Sequence, residues 1–321
     1  MSSTAGALGE QEERGNDQAA PPAQGFCQLL LTKSFSTALM RRHMTALGLM
    51  VVVAVGILGL LLSWSSPAIL QPLMSYLLVH RQHPAVHFVT YGDESYGGSR
   101  ARLLAEANAT GWFRTVTACT PDDIPAAMRR QYADILAEPR GGGYWAWKPM
   151  ILDQALRRMN DSEILVYADA GCRLNPAASN RFWAYVDKLA GQNEFDILSF
   201  RLEAHRTEQN WTTEKIFQYF GVSADSPVRD SPQLMATVRL LRRGPNARRW
   251  LNRVLGALSA NRWLFSDRYN NETISSMFQE NRHDQSVMSV AAKLEGGLVL
   301  DDETWPPGQT AFPIWAARVP G

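Results

Sequence analysis

Apolar and polar positions divide this chain of 321 residues into two parts. Residues 44–64 form one uncharged apolar stretch, whereas from Pro84 onward short apolar runs alternate with amphipathic segments. Short apolar runs are typical of buried strands, and amphipathic segments of helices that cover a sheet. The pattern therefore predicts an α/β domain over residues 84–321, with helices on the faces of its sheet.

The individual elements follow from the same periodicity. Strands are predicted at residues 86–91, 113–117, 164–169, 196–200 and 233–242, and helices at residues 99–107, 150–159, 180–189, 246–258 and 285–294. Ligands of such sheets bind beyond the carboxyl ends of the strands. Asp169 closes the apolar run ILVYAD, and a carboxylate there is costly unless another group pairs with it.

The apolar stretch at residues 44–64 is long enough to cross a bilayer. Basic residues precede it, among them Lys33, Arg41 and Arg42, so the positive-inside rule leaves residues 1–43 in the cytosol. We predict a disordered tail at 1–43, a signal anchor at 44–64, a stem at 65–83 and a lumenal domain at 84–321. A buried helix of a soluble protein is the alternative for 44–64.

Possible glycosylation sites and two cysteines accord with that topology. N-x-S/T sequences begin at Asn108, Asn160, Asn210 and Asn271, all after the anchor, which predicts a glycoprotein. Cys119 and Cys172 lie in the same part of the chain. There they can form a disulfide or remain two buried thiols, and the sequence leaves both open.

Charge and aromatic content limit the classes of ligand. Lys and Arg total 32 against 31 Asp and Glu, so no basic field favours nucleic acid. The chain has 10 tryptophans. Most of them are expected to pack in the core, while some suit stacking on ring-shaped ligands.

The segment RGGGYWAWKP, residues 140–149, has the features of an anion site. Its three glycines let the backbone approach a ligand closely, and Pro149 fits the first turn of a helix. Lys148 would then stand at a helix N-terminus, which favours an anion such as a diphosphate. If the segment is extended, Trp145 and Trp147 share one face. The alternative is a glycine turn with packed tryptophans and a solvated lysine.

The segment NRHDQS, residues 281–286, has the residue types of a metal site. Asp284 is placed to cap the following helix, which leaves His283 free to point elsewhere. A histidine and a carboxylate brought together suit a divalent metal such as Mn or Mg. A histidine that is merely hydrogen-bonded is the alternative.

Together these segments resemble a known family. GGGYWAWKPMIL, ILVYADAGC, WTTEKIF, RHDQSVMSVAAK and DETW, in this order, resemble glycosyltransferases with a GT-A-type nucleotide-diphospho-sugar transferase fold. The resemblance runs from about Val86 to Trp305. It implies a Rossmann-like mixed sheet flanked by helices, preceded by one transmembrane helix. A short tail, an anchor and a stem are also the layout of type II proteins of the Golgi or ER membrane.

The resemblance also implies roles for individual residues. GT-A enzymes bind a metal through an Asp-x-Asp pair, but here Gly171 stands where the second acid is expected. Asp169 and His283 are then the implied metal ligands. Alternatively no metal binds, and Lys148 with nearby arginines neutralises the diphosphate. The implied donor-binding residues are Thr90, Tyr91, Gly92, Trp147, Lys148, Asp169, Ala170 and Gly171.

The implied reaction is transfer of a sugar from a nucleotide-diphosphate sugar to a hydroxyl of a glycan or glycoconjugate. An inverting reaction needs a carboxylate to take the acceptor proton. Asp284 is the first candidate, beside Asp169 as the other catalytic acid, and Glu203, Glu214 and Asp230 follow. Two other functions stay open: a non-catalytic carbohydrate-binding membrane protein, and a hydrolase that uses two carboxylates.

Overall fold

The computed structural model describes residues 83–273 and 275–318. The predicted tail and anchor, and the stem up to residue 82, lie outside the described residues. Within residues 83–273 and 275–318, no helix has both the length and the apolar character that a bilayer crossing needs.

The core of the described domain is a six-stranded sheet in the order β2-β1-β3-β6-β5-β7, beside a two-stranded sheet of β4 and β8. The strands are β1 Val86–Tyr91, β2 Thr115–Cys119, β3 Ile164–Ala168, β4 Arg173–Leu174, β5 Ile197–Arg201, β6 Leu234–Arg242, β7 Leu298–Asp301 and β8 Ile314–Trp315. All five predicted strands are confirmed, with ends displaced by a few residues. β4, β7 and β8 were not predicted.

The six-stranded sheet is mixed. β1 pairs in parallel with β2 and β3, and β5 pairs in parallel with β7, whereas β6 is antiparallel to both β3 and β5. The carboxyl ends of β1, β3 and β5 therefore lie at the same edge as the amino end of β6. This arrangement confirms a parallel-rich mixed sheet for the predicted α/β domain.

Helices cover both faces of this sheet. They are α1 Gly97–Thr110, α2 Ala126–Gln131, α3 Lys148–Arg158, α4 Ser179–Ala190, α5 Glu214–Phe220, α6 Pro245–Ala260 and α7 Asp284–Glu295. Single turns lie at Ala133–Leu136, Gly141–Tyr144, Glu208–Trp211 and Pro227–Asp230. The five predicted helices correspond to α1, α3, α4, α6 and α7, so these predictions are confirmed.

The side chains of β3 show why two layers of helices are needed. Leu165 and Tyr167 belong to the apolar cluster that includes residues of α3, α6 and α7. Ile164, Val166 and Ala168 belong to a second cluster with residues of α1 and α4. Successive side chains of a strand point to opposite faces, and all five residues of β3 are buried. The strand that precedes Asp169 is therefore held from both sides.

Glu295, the last residue of α7, joins this helix to α6. Its carboxylate pairs with Arg253 and, at 3.0 Å, with Arg249 Nε. Burial alone would raise the pKa of Glu295, but the two arginines together lower it below its usual value. A carboxylate with a depressed folded-state pKa stabilises the fold above its unfolded pKa, and this contribution is lost as the pH falls through the folded pKa.

We therefore expect Glu295→Gln to lower the melting temperature at pH 7. The difference from the wild type should shrink as the pH falls below about 4.5, because the wild-type carboxylate then becomes protonated. Melting curves at pH 7 and pH 3 measure this, with the exposed Glu194→Gln as the matched control. A melting-temperature difference that is the same at both pH values would contradict this account of Glu295.

Candidate active site

A cavity of about 910 Å³ opens at the edge of the sheet where β1 and β3 end. Tyr91, the last residue of β1, forms part of its wall, as does Asp169, which directly follows β3. His283 and Asp284 reach the cavity from the start of α7, and Lys148 from the start of α3. The cavity thus brings together the segments that the sequence singled out.

Most of the predicted donor-binding residues lie in this cavity wall. Its lining includes Tyr91, Gly92, Trp147, Lys148, Asp169, Ala170 and Gly171. Thr90 is fully buried and is not part of the wall. Its Oγ1 has no hydrogen-bond partner among the described residues.

Lys148 is the centre of the site. Its side chain is buried, and its ammonium nitrogen lies 2.6 Å from Asp284 Oδ2 and 3.1 Å from Asp169 Oδ1. Nζ also donates a hydrogen bond of 3.3 Å to the carbonyl oxygen of Ala236. Burial lowers the pKa of Lys148, but the two carboxylates outweigh it and the pKa is raised above its usual value. Lys148 is therefore a buried, charged side chain and not a solvated one.

Asp169 is held by its neighbours as well as by Lys148. Tyr167 Oη donates a hydrogen bond of 2.6 Å to Asp169 Oδ1, the oxygen that also faces Lys148. The backbone N–H of Asp169 donates to the Thr237 carbonyl at 2.9 Å. The side chain remains 31% exposed and forms part of the cavity wall.

Asp284 differs from its predicted role as a helix cap. It is the first residue of α7, His283 occupies the capping position, and no side chain caps the helix there. The prediction was wrong because the carboxylate turns to Lys148 instead of to the amides of its own helix. Burial, with the charge of Asp169, raises the pKa of Asp284 despite the opposing effect of Lys148.

His283 is not free to point elsewhere. Its backbone has φ 58° and ψ −121°, a conformation uncommon for a residue other than glycine. The ring lies beside Tyr144 and Trp145, with centroid distances of 5.2 and 5.4 Å, and Nε2 is 3.0 Å from Asp267 Oδ1. Burial lowers the pKa of His283 more than Asp267 raises it, so the ring is neutral at neutral pH.

The segment with three glycines folds as a tight turn and not as an extended strand. Gly141, Gly142 and Gly143 have φ angles of 60°, 55° and 99°, and Trp145 follows at 56°. A Cβ atom at Gly141 would lie 2.5 Å from the Trp145 ring, so glycine is required there. Trp147 leaves this turn to stack on Tyr91, with ring centroids 3.7 Å apart.

The four candidate bases differ in whether they line the cavity. Asp284 and Glu203 belong to the cavity wall, and Glu203 lies 2.6 Å from Arg206. Glu214 accepts hydrogen bonds of 2.7 and 2.9 Å from Arg229, and Asp230 accepts one of 2.9 Å from Gln209. Neither Glu214 nor Asp230 lines the cavity.

The predicted metal ligands, Asp169 and His283, share the cavity but are engaged elsewhere. No group of three or more His, Cys, Asp or Glu in residues 83–273 and 275–318 is arranged to hold a metal. A divalent ion on Asp169 Oδ1 would stand within about 5 Å of the Lys148 ammonium, a repulsion on the order of 7 kcal/mol at an effective dielectric constant of about 20. The residues as placed do not fit a divalent ion on that oxygen. That Asp169 and His283 bind a divalent metal remains a prediction.

Several residues of the site were not predicted. Arg102 in α1 donates hydrogen bonds to the carbonyls of Ala170 and Cys172, at 3.1 and 2.9 Å, and so fixes the turn after Asp169. Asp267 holds His283, although nothing in the sequence around it marks that role. Arg282 could have been predicted as a site residue, because it lies directly before His283 in the sequence. Burial, and the charges of other cavity arginines, lower the pKa of Arg282.

Cys119 and Cys172 are both free and buried. Burial raises the pKa of the Cys119 thiol to about 11, and burial also raises the pKa of Cys172. The alternative of two buried thiols is therefore the one the structure has, and neither thiol has the depressed pKa of a reactive cysteine.

Replacing Lys148 by methionine is expected to destabilise the fold. The substitution keeps a side chain of similar length but leaves Asp169 and Asp284 without their counter-charge, at a cost of about 3–5 kcal/mol. The double variant Lys148→Met/Asp284→Asn should recover part of this loss, since one of the two stranded charges is gone. Urea unfolding measures both.

Lys188→Met, at an exposed position of α4, is the matched control and should leave the free energy of unfolding nearly unchanged. The central role of the Lys148 ion pairs is refuted if Lys148→Met unfolds at the same urea concentration as this control.

No family model matches this sequence, and no characterised protein matches it at the sequence level. Some of the solved structures to which this chain is similar are glycosyltransferases. One is a glycosyltransferase involved in the glycosylation of the major capsid of PBCV-1. It is 13% identical to this chain, the match covers 69% of this chain and 84% of that chain, and the TM-score is 0.40. Mouse xyloside xylosyltransferase 1 is 12% identical to this chain. The match covers 69% of this chain and 86% of that chain, and the TM-score is 0.41. Galactosyltransferase LgtC is 12% identical to this chain. The match covers 68% of this chain and 74% of that chain, and the TM-score is 0.33. At TM-scores below 0.5 these similarities carry no argument about this chain.

Proposed function

We propose that the domain transfers a sugar from a nucleotide-diphosphate sugar to a hydroxyl group of a glycan or glycoconjugate. The observation that carries the proposal is the buried ion set of Lys148, Asp169 and Asp284 beside the Tyr91–Trp147 stack. Both lie in one cavity at the carboxyl ends of parallel strands, where sheets of this class bind ligands.

The nucleoside end of the donor lies at the end of β1. Tyr91 and Trp147 provide a flat aromatic surface in the cavity wall. Asp93 lines the same region, and its buried Oδ1 has no hydrogen-bond partner among the described residues. A hydroxyl or N–H group of the nucleoside can supply the missing donor. A side chain at Gly92 would collide with Tyr96, since its Cβ would lie 2.8 Å from Tyr96 Cβ, so glycine keeps this region open.

The diphosphate lies between the nucleoside end and the Lys148 ion set. As the bond between sugar and diphosphate breaks, negative charge grows on the leaving group, and fixed positive charge nearby lowers the barrier. The cavity wall supplies several arginines for this purpose, and Lys148 holds Asp169 and Asp284 beside them. A divalent metal, Mn or Mg, on Asp169 and His283 is the predicted alternative source of positive charge.

The acceptor enters past exposed aromatic rings. Tyr96 and Trp305 belong to the cavity wall and are 51% and 52% exposed. Exposed rings suit stacking on the apolar face of a sugar. An acceptor hydroxyl must lose its proton to a base if the reaction inverts. Asp284, with its raised pKa, is the first candidate for this base and Glu203 is the second.

The competing function is carbohydrate binding without catalysis. The exposed Tyr96 and Trp305 serve such a protein equally well. Carbohydrate binding alone does not require the carboxylates of Asp169 and Asp284 in the cavity wall, whereas the proposed transfer uses both.

We also propose a lumenal location at the Golgi or ER membrane. It is supported by the apolar stretch at 44–64 and by exposed Asn108, Asn160 and Asn271 in glycosylation sequences.

Asp169→Asn is expected to abolish sugar transfer while the protein stays folded. Asparagine keeps the size and can still accept from Tyr167, but it removes the charge that faces Lys148, so turnover should fall by about 100-fold or more. The full-length protein in detergent is screened with uridine- and guanosine-diphosphate sugars for transfer and for donor hydrolysis, and circular dichroism checks the fold.

Asp122→Asn is the matched control, because that side chain is 92% exposed and pairs only with Arg129 in the described region. It should retain full turnover. Wild-type turnover in Asp169→Asn would remove the role assigned to Asp169. His283→Ala, compared with and without Mn, reports on the predicted metal.

A further inference from the structure

Four arginines of the cavity wall form what we call the arginine cluster: Arg140, Arg206, Arg282 and Arg318. Arg282 lies over the Trp211 ring, with its guanidinium carbon 4.0 Å from the ring centroid. Arg140, Arg206 and Arg318 are close enough that their charges act on Arg282. Four cations from separate parts of the chain therefore converge on one side of the cavity.

The ion pairs of the arginine cluster leave one of its four guanidinium groups without a carboxylate partner among the described residues. Arg140 pairs with Asp267 at 2.8 Å, and Glu280 lies 3.7 Å from Arg140 and 3.3 Å from Arg282. Glu203 pairs with Arg206. Arg318 has no ion pair with any residue in the described ranges. Among the described residues, three carboxylates thus pair with Arg140, Arg206 and Arg282, and one of the three, Asp267, also holds His283.

The cluster stands directly beside the Lys148 ion set. Arg282 precedes His283 and Asp284 in the chain. The backbone of Arg318 packs on the turn after Asp169, where a Cβ at Gly171 would lie 3.2 Å from Arg318 Cα. An anion in the cavity can therefore contact Arg282 and Arg318 next to the Lys148 ion set, where the proposed reaction needs positive charge.

Lys148 occupies the position that a bridging cation would take between two carboxylates. Its ammonium contacts Asp169 and Asp284 within 3.1 Å, and Tyr167 fills the remaining direction on Asp169 Oδ1. His283 directs Nε2 to Asp267 and not to Asp169. The two predicted metal ligands thus already have partners from the chain itself.

We infer that the site binds the diphosphate of its donor without a divalent metal. Lys148 takes the place of the metal between the acids, and the arginine cluster supplies the charge that contacts the phosphates. This inference rests on the proposed function, since it concerns the same donor. It names the ligand chemistry as a diphosphate ester held by guanidinium groups, which bind phosphate oxygens in pairs.

The test is calorimetric titration of the full-length protein in detergent with inorganic pyrophosphate, uridine diphosphate and guanosine diphosphate. Each titration is carried out in EDTA and in excess Mn. We expect at least one of these ligands to bind in EDTA with an affinity that Mn does not improve. The affinity should fall as sodium chloride is raised, because the contacts are between charges.

Variants of the arginine cluster locate the binding. Arg282→Gln and the exposed Arg318→Gln should each weaken binding in EDTA by about tenfold, the loss expected for a charge-assisted contact. Arg243→Gln is the matched control, because Arg243 follows β6 at its other end, pairs with Asp161 at 2.9 Å and lies outside the cavity wall. It should bind as the wild type does. Melting temperatures confirm that each variant is folded.

The possible failures are distinguishable. Binding that requires Mn, or binding that Arg282→Gln and Arg318→Gln leave unchanged, overturns this inference and leaves the proposed function standing. Absence of binding for all three ligands, in EDTA and in Mn alike, overturns the inference together with the proposed function.

Discussion

The geometry of the candidate site depends on a buried cation, Lys148. An ammonium group in the protein interior is strongly unfavourable unless carboxylates and hydrogen-bond acceptors surround it. Lys148 satisfies this requirement with Asp169, Asp284 and the carbonyl of Ala236, which come from the end of β3, the start of α7 and β6. These elements cannot shift against one another without exposing an unpaired charge. The position of the cavity follows from that constraint, because the same residues form its wall.

The reversed direction of β6 makes this arrangement possible. β3 and β5 run the same way, and β6 lies between them in the opposite sense, so its amino-terminal residues reach the edge where β3 ends. Thr237 then accepts from the amide of Asp169, and Ala236 accepts from Lys148. If β6 ran parallel to β3, its carboxyl end would lie at this edge, and different residues would face Asp169 and Lys148. The mixed sheet therefore supplies backbone acceptors that the site needs.

Sequence patterns predicted the fold better than the site, for a physical reason. Burial repeats with the period of the element, so β3 and the stripe Phe182, Tyr185, Val186 and Leu189 of α4 were readable, and all are buried. β7 is an edge strand with half its residues exposed, which left a weak signal. Asp284 shows the limit: its local pattern predicted a cap, but an ion pair with a residue far away in sequence decided its orientation. The turn at Gly141–Tyr144 depends on successive positive φ angles, which composition does not specify.

A lysine in place of a metal changes what the rest of the site must do. An ammonium carries one positive charge and is already shared by two carboxylates, so the Lys148 ion set has no positive charge to spare for a diphosphate. The remaining charge must come from neighbouring side chains, and in the arginine cluster Arg318 has no ion pair among the described residues. If the donor binds without a metal, the two features act together: Lys148 holds Asp169 and Asp284 in place, and the arginine cluster binds the phosphates. Because every charge is covalently attached to the chain, anion binding then depends on salt and not on the supply of a metal.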